Sequence, residues 1–220
     1  MTPNYETAAV KALKIICDRH ITETPVLSLP ILKKYPGVRV ISFTDLADEH
    51  GMERKNLIPL FGRNQDAATF ILGVGIGAVK YVVVYNMQLT YETIRKAIAR
   101  ELGHIVLGHD GVTRPADVRL AEAKAFAFHL LCPRPIIHML QESGTAITMN
   151  VLKDTIGCSE ECVEGMRTLP GVHVQQELNR EVRDLFAPHI QEYIRFHNSW
   201  PVKDTSPVAN LGTYMNGYEE

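Results

Sequence analysis

The stretch AIARELGHIVLGH, residues 97–109, carries the strongest helical pattern in the chain. It ends a segment that we predict to be one helix over Leu89–His109. Thr90 can cap the N-terminus of this helix, and Glu92 favours its first turn because the helix dipole is positive there. Gly108 marks the end, since glycine accepts the left-handed conformation that often closes a helix.

Three chemically important residues, Arg100, Glu101 and His104, fall on or near one face of this helix, because each residue advances by about 100°. Zinc peptidases use this geometry in the motif H-E-x-x-H, in which two imidazoles bind zinc and the glutamate acts as general base. Here the motif reads R-E-L-G-H. Glu101 and His104 are in place, but Arg100 stands at the first ligand position, and a guanidinium has no lone pair to offer a metal.

A second motif, RLAEAKAFAFHLLCP at residues 119–133, lies in a helix predicted over Asp117–Leu131 and stopped by Cys132-Pro133. It resembles the stretch E-x-A-N-x-F-A-x-x-L-L-M-P that follows the H-E-L-G-H helix in the ImmA/IrrE metallopeptidases of phages and mobile elements. Together with other pieces, the resemblance covers roughly residues 38–169. Those other pieces keep the family's order: YVVVYN (81–86), LGH (107–109) and DTIGCSEECVEGMRTL (154–169).

The resemblance implies a role for several residues. Glu101 matches the general base, His104 matches the second imidazole ligand, and Glu122 matches an acidic ligand that the following helix supplies. The implied cofactor is zinc, which polarises the scissile carbonyl and lowers the pKa of bound water while Glu101 takes the proton. The implied function is intracellular, site-specific cleavage of a helix-turn-helix repressor that keeps a mobile element silent.

Another histidine could supply the metal-binding nitrogen that is missing at position 100, and the candidates in the sequence are His109 and His129. His129 is seven residues past Glu122, about 10 Å further along the same helix, which argues against it. His109 is about 140° round the helix from His104 unless Gly108 ends the helix early and lets the chain fold back. Either rescue would leave an active metallopeptidase with an altered ligand set.

The opposite hypothesis is that the metal has been lost. A fixed positive charge on Arg100 would stand where zinc sat, and Glu101 or Glu122 could pair with it. Such a charge-balanced site needs no metal and activates no water. The chain would then be a catalytically inactive homologue that still binds its repressor partner.

A third hypothesis is sequence-specific DNA binding through residues 149–169, which we predict to form two short helices around Gly157-Cys158-Ser159. Gly157 suits the turn and Ser159 suits an N-cap, as in a helix-turn-helix. The second helix would carry Glu160, Glu161 and Glu164, whose charge repels phosphate, so protein packing is favoured over DNA. Cys158 and Cys162 are expected in the core.

The predicted fold class is α+β. A small antiparallel or mixed sheet, from strands at about 38–43, 68–72 and 80–85, is expected to pack on a helical zincin-like core. A small helical module then follows. The expected divisions are an N-terminal helical region (1–37), the zincin-like domain (38–140), the C-terminal helical module (141–198) and a loosely ordered tail (199–220).

Several smaller elements complete the prediction. We expect helices at Tyr5–His20 and Leu29–Lys34. A third short helix, capped by Thr44 or Asp45, should end at Gly51. The glycines of GVGIG (73–77) suggest a hairpin turn between strands and not a phosphate loop, because no helix follows them. A last amphipathic segment, Val174–His197, is expected to be kinked or broken at Pro188.

Composition narrows the function classes. The 220 residues carry a formal net charge of −2, with 45% hydrophobic and 22% charged residues. This balance lacks the basic character of a protein that binds nucleic acid over a broad surface. The sequence contains no run of about 18 apolar residues, which a membrane-spanning helix would need, and its N-terminus lacks a secretory pattern. Four cysteines imply no disulfide framework, so a cytoplasmic location is expected.

Overall fold

The computed structural model describes residues 1–22, 29–53, 55–56, 65–72, 80–110 and 114–199 of the chain. Within these residues the fold is α+β, as predicted, with one small mixed sheet and a helical C-terminal part. None of the helices described is long and apolar enough to cross a membrane. The segment GVGIG and the tail beyond Ser199, both subjects of prediction, lie outside the described residues.

The elements follow one another in a simple order. The strands are β1 Val38–Ser42, β2 Ala67–Ile71 and β3 Tyr81–Tyr85. The helices are α1 Tyr5–Asp18, α2 Leu29–Leu32, α3 Phe43–Glu49, α4 Tyr91–Val106, α5 Ala116–Leu131, α6 Arg134–Glu142, α7 Met149–Ile156, α8 Glu160–Thr168 and α9 Gln176–Ser199.

The sheet has the order β1-β3-β2, so β3 is its central strand. β1 runs parallel to β3, from Val38 opposite Tyr81 to Ser42 opposite Tyr85. β2 runs antiparallel to β3, which confirms the predicted pairing of these two segments. All five residues of β3, YVVVY, are buried. Such β-branched and aromatic side chains are typical of a central strand that is covered on both faces. Because β3 is the central strand, β2 lies at one edge of the sheet, and α4 packs beside it.

Close packing between α4 and α5 sets the geometry of the candidate site. Gly103 lies at their crossing, where a Cβ atom would come within 3.0 Å of the Ala123 carbonyl oxygen and of the Phe126 ring. The absence of a side chain at Gly103 lets the two backbones approach. As a consequence, Glu122 of α5 lies near the end of α4.

The predicted short helix α3 exists, but its cap differs from the prediction. Ser42, and not Thr44 or Asp45, is the N-cap: its hydroxyl oxygen accepts a hydrogen bond from the Asp45 backbone N–H at 3.0 Å. The strand ends on the same residue, whose backbone is extended. One serine therefore closes β1 and opens α3, which is a common use of serine at a helix start.

Helix α6 was not predicted. Cys132-Pro133 ends α5 as expected, yet a new helix begins at Arg134, with Pro135 in its first turn. Proline is well tolerated there because the first N–H groups of a helix have no intrahelical partner.

The last helix, α9, is assigned without interruption over Gln176–Ser199 and contains Pro188. Of the two predicted alternatives, a break at this proline is therefore wrong, and a kink stays a prediction. The buried side chains on both sides of it, Val182 and Ile190 among them, anchor the helix to the core.

The two short helices α7 and α8 confirm the prediction for this segment. Gly157 ends α7 in the left-handed conformation, with φ of 61°, and the Ser159 hydroxyl caps α8 through the Cys162 backbone N–H. Cys158 and Cys162 are buried in the core, as expected. The acidic side chains of α8 stay exposed, and Glu161 forms an ion pair with Lys96 of α4.

Candidate functional site

A cleft runs between the edge strand β2, the last turns of α4 and the start of α5. It consists of two adjoining cavities of about 330 Å³ and 450 Å³, which share Thr69, Glu101 and His104. The structure therefore brings the predicted general base and the predicted second ligand to one open surface. Arg100 lines the same cleft, as do Tyr81 and Arg119.

Glu101, at the general-base position, is bound on both carboxylate oxygens. Its Oε1 atom accepts hydrogen bonds from Nε and Nη2 of Arg100, at 3.3 and 3.1 Å. Its Oε2 atom accepts a hydrogen bond from the Thr69 hydroxyl at 2.7 Å. The Glu101 side chain is only 9% exposed. The pairing of Arg100 with a neighbouring carboxylate, one of the two arrangements considered from the sequence, is thus present with Glu101.

The end of α4 returns the chain toward the site. Gly108 adopts φ of 70°, the His109 N–H donates to the His104 carbonyl at 2.9 Å, and the Gly108 N–H donates to the Ile105 carbonyl at 3.1 Å. This pair of hydrogen bonds is the Schellman motif, which reverses the chain at a helix C-terminus. The helix therefore ends before His109. This early end lets the chain fold back, as His109 requires in order to reach the site.

His109 lies between the other two predicted groups. Its Nδ1 atom is 2.9 Å from Nδ1 of His104, and its Nε2 atom is 3.0 Å from Oε2 of Glu122. The two imidazole rings meet edge to face, with an interplanar angle of 69°. His104, His109 and Glu122 thus form one hydrogen-bonded chain from the cleft into the interior.

Glu122 is buried and has further partners. Oε1 accepts a hydrogen bond from the Asn4 backbone N–H at 2.7 Å, and Nη1 of Arg114 lies 2.9 and 3.0 Å from the two carboxylate oxygens. Burial alone would raise the pKa of Glu122, but the hydrogen bonds from Asn4, His109 and Arg114 outweigh it and lower the pKa. The carboxylate is therefore ionised at neutral pH.

The two histidines are neutral in the folded protein. Burial, together with the neighbouring His109, Arg100 and Arg119, lowers the pKa of His104 to about 4. Burial also lowers the pKa of His109, although the hydrogen bond to Glu122 acts in the opposite direction. Since both pKa values fall below their ordinary range, the fixed positive charge in the site comes from guanidinium groups.

The donor set does not fit a three-ligand zinc ion in this arrangement. The two nitrogens of an imidazole point away from each other, and those of His109 face His104 on one side and Glu122 on the other. An ion bound at one nitrogen is out of reach of the residue on the opposite side, so the three groups do not converge on one point. A catalytic zinc normally has three protein ligands around one position.

His129, the other histidine considered as a ligand, lies away from the cleft. It is 1% exposed, and neither of its ring nitrogens has a hydrogen-bond partner among the described residues. Burial and the nearby Arg134 lower its pKa to about 3. The structure therefore agrees with the sequence argument that seven residues of helix separate His129 from Glu122.

Several residues of the site carried no sequence signal. Thr69 comes from an edge strand, Asn4 from the chain start and Arg114 from the turn before α5, and each reaches the site only through the fold. A further pair lies at the rim, where the Tyr81 hydroxyl donates to Asp110 at 2.6 Å. The contacts of Asn4, Thr69 and Tyr81 join residues at least 29 positions apart, and the contact of Arg114 spans 8, so no short motif describes them.

Comparison of the chain with protein-family models, with curated proteins and with solved structures gives no match. The resemblance to the ImmA/IrrE peptidases thus remains a prediction from motif residues and their spacing.

Proposed function

We propose that this chain is a regulatory binding module of the ImmA/IrrE type, which holds a helix-turn-helix repressor in its cleft without cleaving it. The observation that carries the proposal is the state of Glu101. Both of its carboxylate oxygens are engaged, by Arg100 and by Thr69. A general base needs a lone pair directed at the water that it deprotonates, and these hydrogen bonds take up lone pairs of Glu101 and hold its carboxylate toward Arg100 and Thr69.

The surroundings of the cleft suit a protein partner. The end of β2 exposes Phe70, Ile71 and Leu72, and Leu120 of α5 is exposed beside the second cavity. Apolar side chains grouped around a polar cleft are typical of surfaces that bind other proteins. The formal net charge of −2 lacks the basic excess of a protein that binds nucleic acid over a broad surface, which favours a protein partner.

The proposal is tested with the purified chain and the purified helix-turn-helix repressors encoded in the same genome. We expect one repressor to co-elute with the chain in size-exclusion chromatography and to keep its intact mass. Thr69→Arg, which fills the cleft, should weaken this association at least tenfold, whereas Arg39→Met on the far strand β1 should not. If no repressor binds, or if the bound repressor is cut into fragments, the proposal is wrong.

A zinc peptidase with an altered ligand set is the second candidate, and the turn at Gly108 is the observation that favours it. This turn brings His109 next to His104 and near Glu122. A different side-chain rotamer of His109 would be required for the three groups to surround one ion. Near-stoichiometric zinc in protein purified without an affinity tag, with zinc-dependent repressor cleavage, would support this function over the first.

A further inference from the structure

We propose that the imidazole of His109 takes the place of an ion as the bridge between His104 and Glu122, so that the shape of this site does not depend on metal. The inference rests on the proposed binding function and deepens it, because it identifies the group that keeps a peptidase-like cleft in shape without a cofactor. His109 is 4% exposed, and its two ring nitrogens meet one partner each.

The backbone holds His109 in this position. The Schellman motif at Gly108 fixes the turn that carries it, and the His109 carbonyl accepts a hydrogen bond from Arg119 at 3.4 Å. The ring is therefore placed by the helix end itself. Such a turn holds the bridging side chain in one position before any contact forms, whereas a flexible loop would not.

Glu122 is held equally firmly on the other side of the bridge. The Asn4 backbone N–H and the Arg114 guanidinium occupy the carboxylate positions that His109 leaves open. With these bonds the buried carboxylate is fully satisfied, so no unpaired oxygen is left to attract a cation.

The charges around the site also oppose a divalent ion. Arg100 pairs with Glu101 and Arg114 pairs with Glu122, so these two carboxylates carry no unpaired charge that would attract a metal. A dication at His104 would also be repelled by the neighbouring guanidinium of Arg100. The bridge and the charge of Arg100 are thus two separate obstacles to zinc.

Zinc uptake by a small set of variants tests the bridge. Wild type, Arg100→His and the double variant Arg100→His/His109→Ala are purified without a tag, equilibrated with zinc, desalted and analysed for bound metal. We expect less than about 0.1 zinc per chain for the first two proteins and about one for the double variant, because only the double variant loses both obstacles. Arg100→His/His173→Ala, which removes an exposed histidine instead, should behave as Arg100→His does.

The melting temperature provides a second readout. We expect wild type to melt at the same temperature in zinc as in EDTA, and the double variant to melt about 5 °C or more higher in zinc. A full equivalent of zinc in wild type or in Arg100→His, lost in the corresponding Glu122→Gln variant, would overturn the proposal. So would a folded double variant that takes up no zinc. Should the double variant fail to fold, the wild-type melting curves and the Arg100→His zinc content still decide. Zinc content does not depend on a repressor, so this proposal and the proposed function fail separately.

Discussion

At position 100 a guanidinium lies where the zinc-peptidase motif has an imidazole, and one side chain thereby changes the chemistry available to its neighbours. Arg100 cannot give an electron pair to a metal, but it gives two hydrogen bonds to Glu101. Both bonds are made to Oε1 of the carboxylate. The residue that cannot act as a ligand therefore also binds the carboxylate at the motif's general-base position.

His129 presents a different problem at the same scale, because it is a polar residue buried without a partner. Both ring nitrogens lack a hydrogen bond among the described residues. Leaving buried polar groups unsatisfied costs about 1–3 kcal/mol. We predict that His129→Leu, an apolar residue of similar volume, raises the free energy of unfolding by about 1–2 kcal/mol at pH 7 in urea denaturation. His173→Leu, at an exposed site, is the control and should change it by less than about 0.5 kcal/mol.

The same residue gives a prediction on pH. The folded pKa of His129, about 3, lies below its ordinary value of 6.5, so the unfolded state binds a proton more readily than the folded state. Stability is therefore complete above the unfolded pKa and is lost as the pH falls toward 3. Between pH 7 and pH 5 this residue alone should cost up to about 2 kcal/mol, a loss that His129→Leu removes. His104 shifts in the same direction and contributes equally to both proteins, so identical pH slopes would contradict the prediction.

At the scale of elements, helix ends and helix crossings decide where the site residues lie. Two helix ends have the same form: Gly108 after α4 and Gly144 after α6 both have positive φ, and a Cβ atom at either position would meet nothing within 4 Å. Both are followed by the same backbone hydrogen bond, from His109 to His104 and from Thr145 to Leu140. Only the first of these turns carries a site residue.

This pair supplies a matched comparison. Gly108→Ala and Gly144→Ala should each lower the free energy of unfolding by about 1 kcal/mol, because alanine is strained at positive φ. Only Gly108→Ala should disturb the contact of His109 with His104, seen as a shift of the imidazole resonances of both histidines in NMR spectra. Equal shifts of these resonances in the two variants would contradict the role assigned to the turn.

The crossing of α5 and α8 depends on a second close approach. A Cβ atom at Gly165 would come within 2.2 Å of the Phe128 ring. We predict that Gly165→Ala lowers the free energy of unfolding by about 1–3 kcal/mol, even though alanine is the better helix former. Gly171→Ala is the control, since its Cβ atom would meet nothing within 4 Å. If thermal unfolding shows no difference between these two variants, the α5–α8 packing is not as tight as described.

The elements were predicted more accurately than their ends. The pattern of apolar residues identified α1, α4, α5, α7, α8 and α9, since burial on one face leaves a period of 3.6. The cap of α3 was misplaced because Ser42, Thr44 and Asp45 are all good N-caps, and only the end of β1 selects among them. Helix α6 was missed because its prolines mark a helix end and a helix start equally well.

At the scale of the whole molecule, a small cluster of Ile41, Ala47, Val82 and Val84 packs α3 on one face of the sheet, and a larger hydrophobic core lies on the other face. Its members extend from Ala8 of α1, through Val83 of β3 and Phe126 of α5, to Ile190 of α9. Arg95 of α4 is a charged residue that is buried as well. It is 2% exposed, and its Nη1 atom donates a hydrogen bond to the Gly157 carbonyl at 2.9 Å. The C-terminal helices are thus tied to the helix that carries Glu101 and His104.

We predict that Arg95→Met lowers the free energy of unfolding by about 2–3 kcal/mol, because the Gly157 carbonyl loses a buried charged donor. Arg39→Met removes an exposed ion pair with Glu49 and should cost less than about 1 kcal/mol. Calorimetry should show one unfolding transition for wild type and for both variants, because the core is shared. A separate early transition in Arg95→Met would contradict that sharing.

The sequence by itself determined most of the secondary structure, the presence of a small sheet and the positions that could carry chemistry, because these depend on periodicity and on residue type over short distances. It also determined that Arg100 cannot be a ligand. Only the tertiary structure decided what the other groups do. The chain reverses at Gly108, and α4 and α5 approach closely at Gly103, so His109 lies between His104 and Glu122. Further hydrogen bonds to the carboxylates of Glu101 and Glu122 come from Asn4, Thr69 and Arg114. Asn4 and Thr69 lie far along the chain from their carboxylate partners, and even the nearer pairs form hydrogen bonds only at distances that the fold sets and that no local pattern contains.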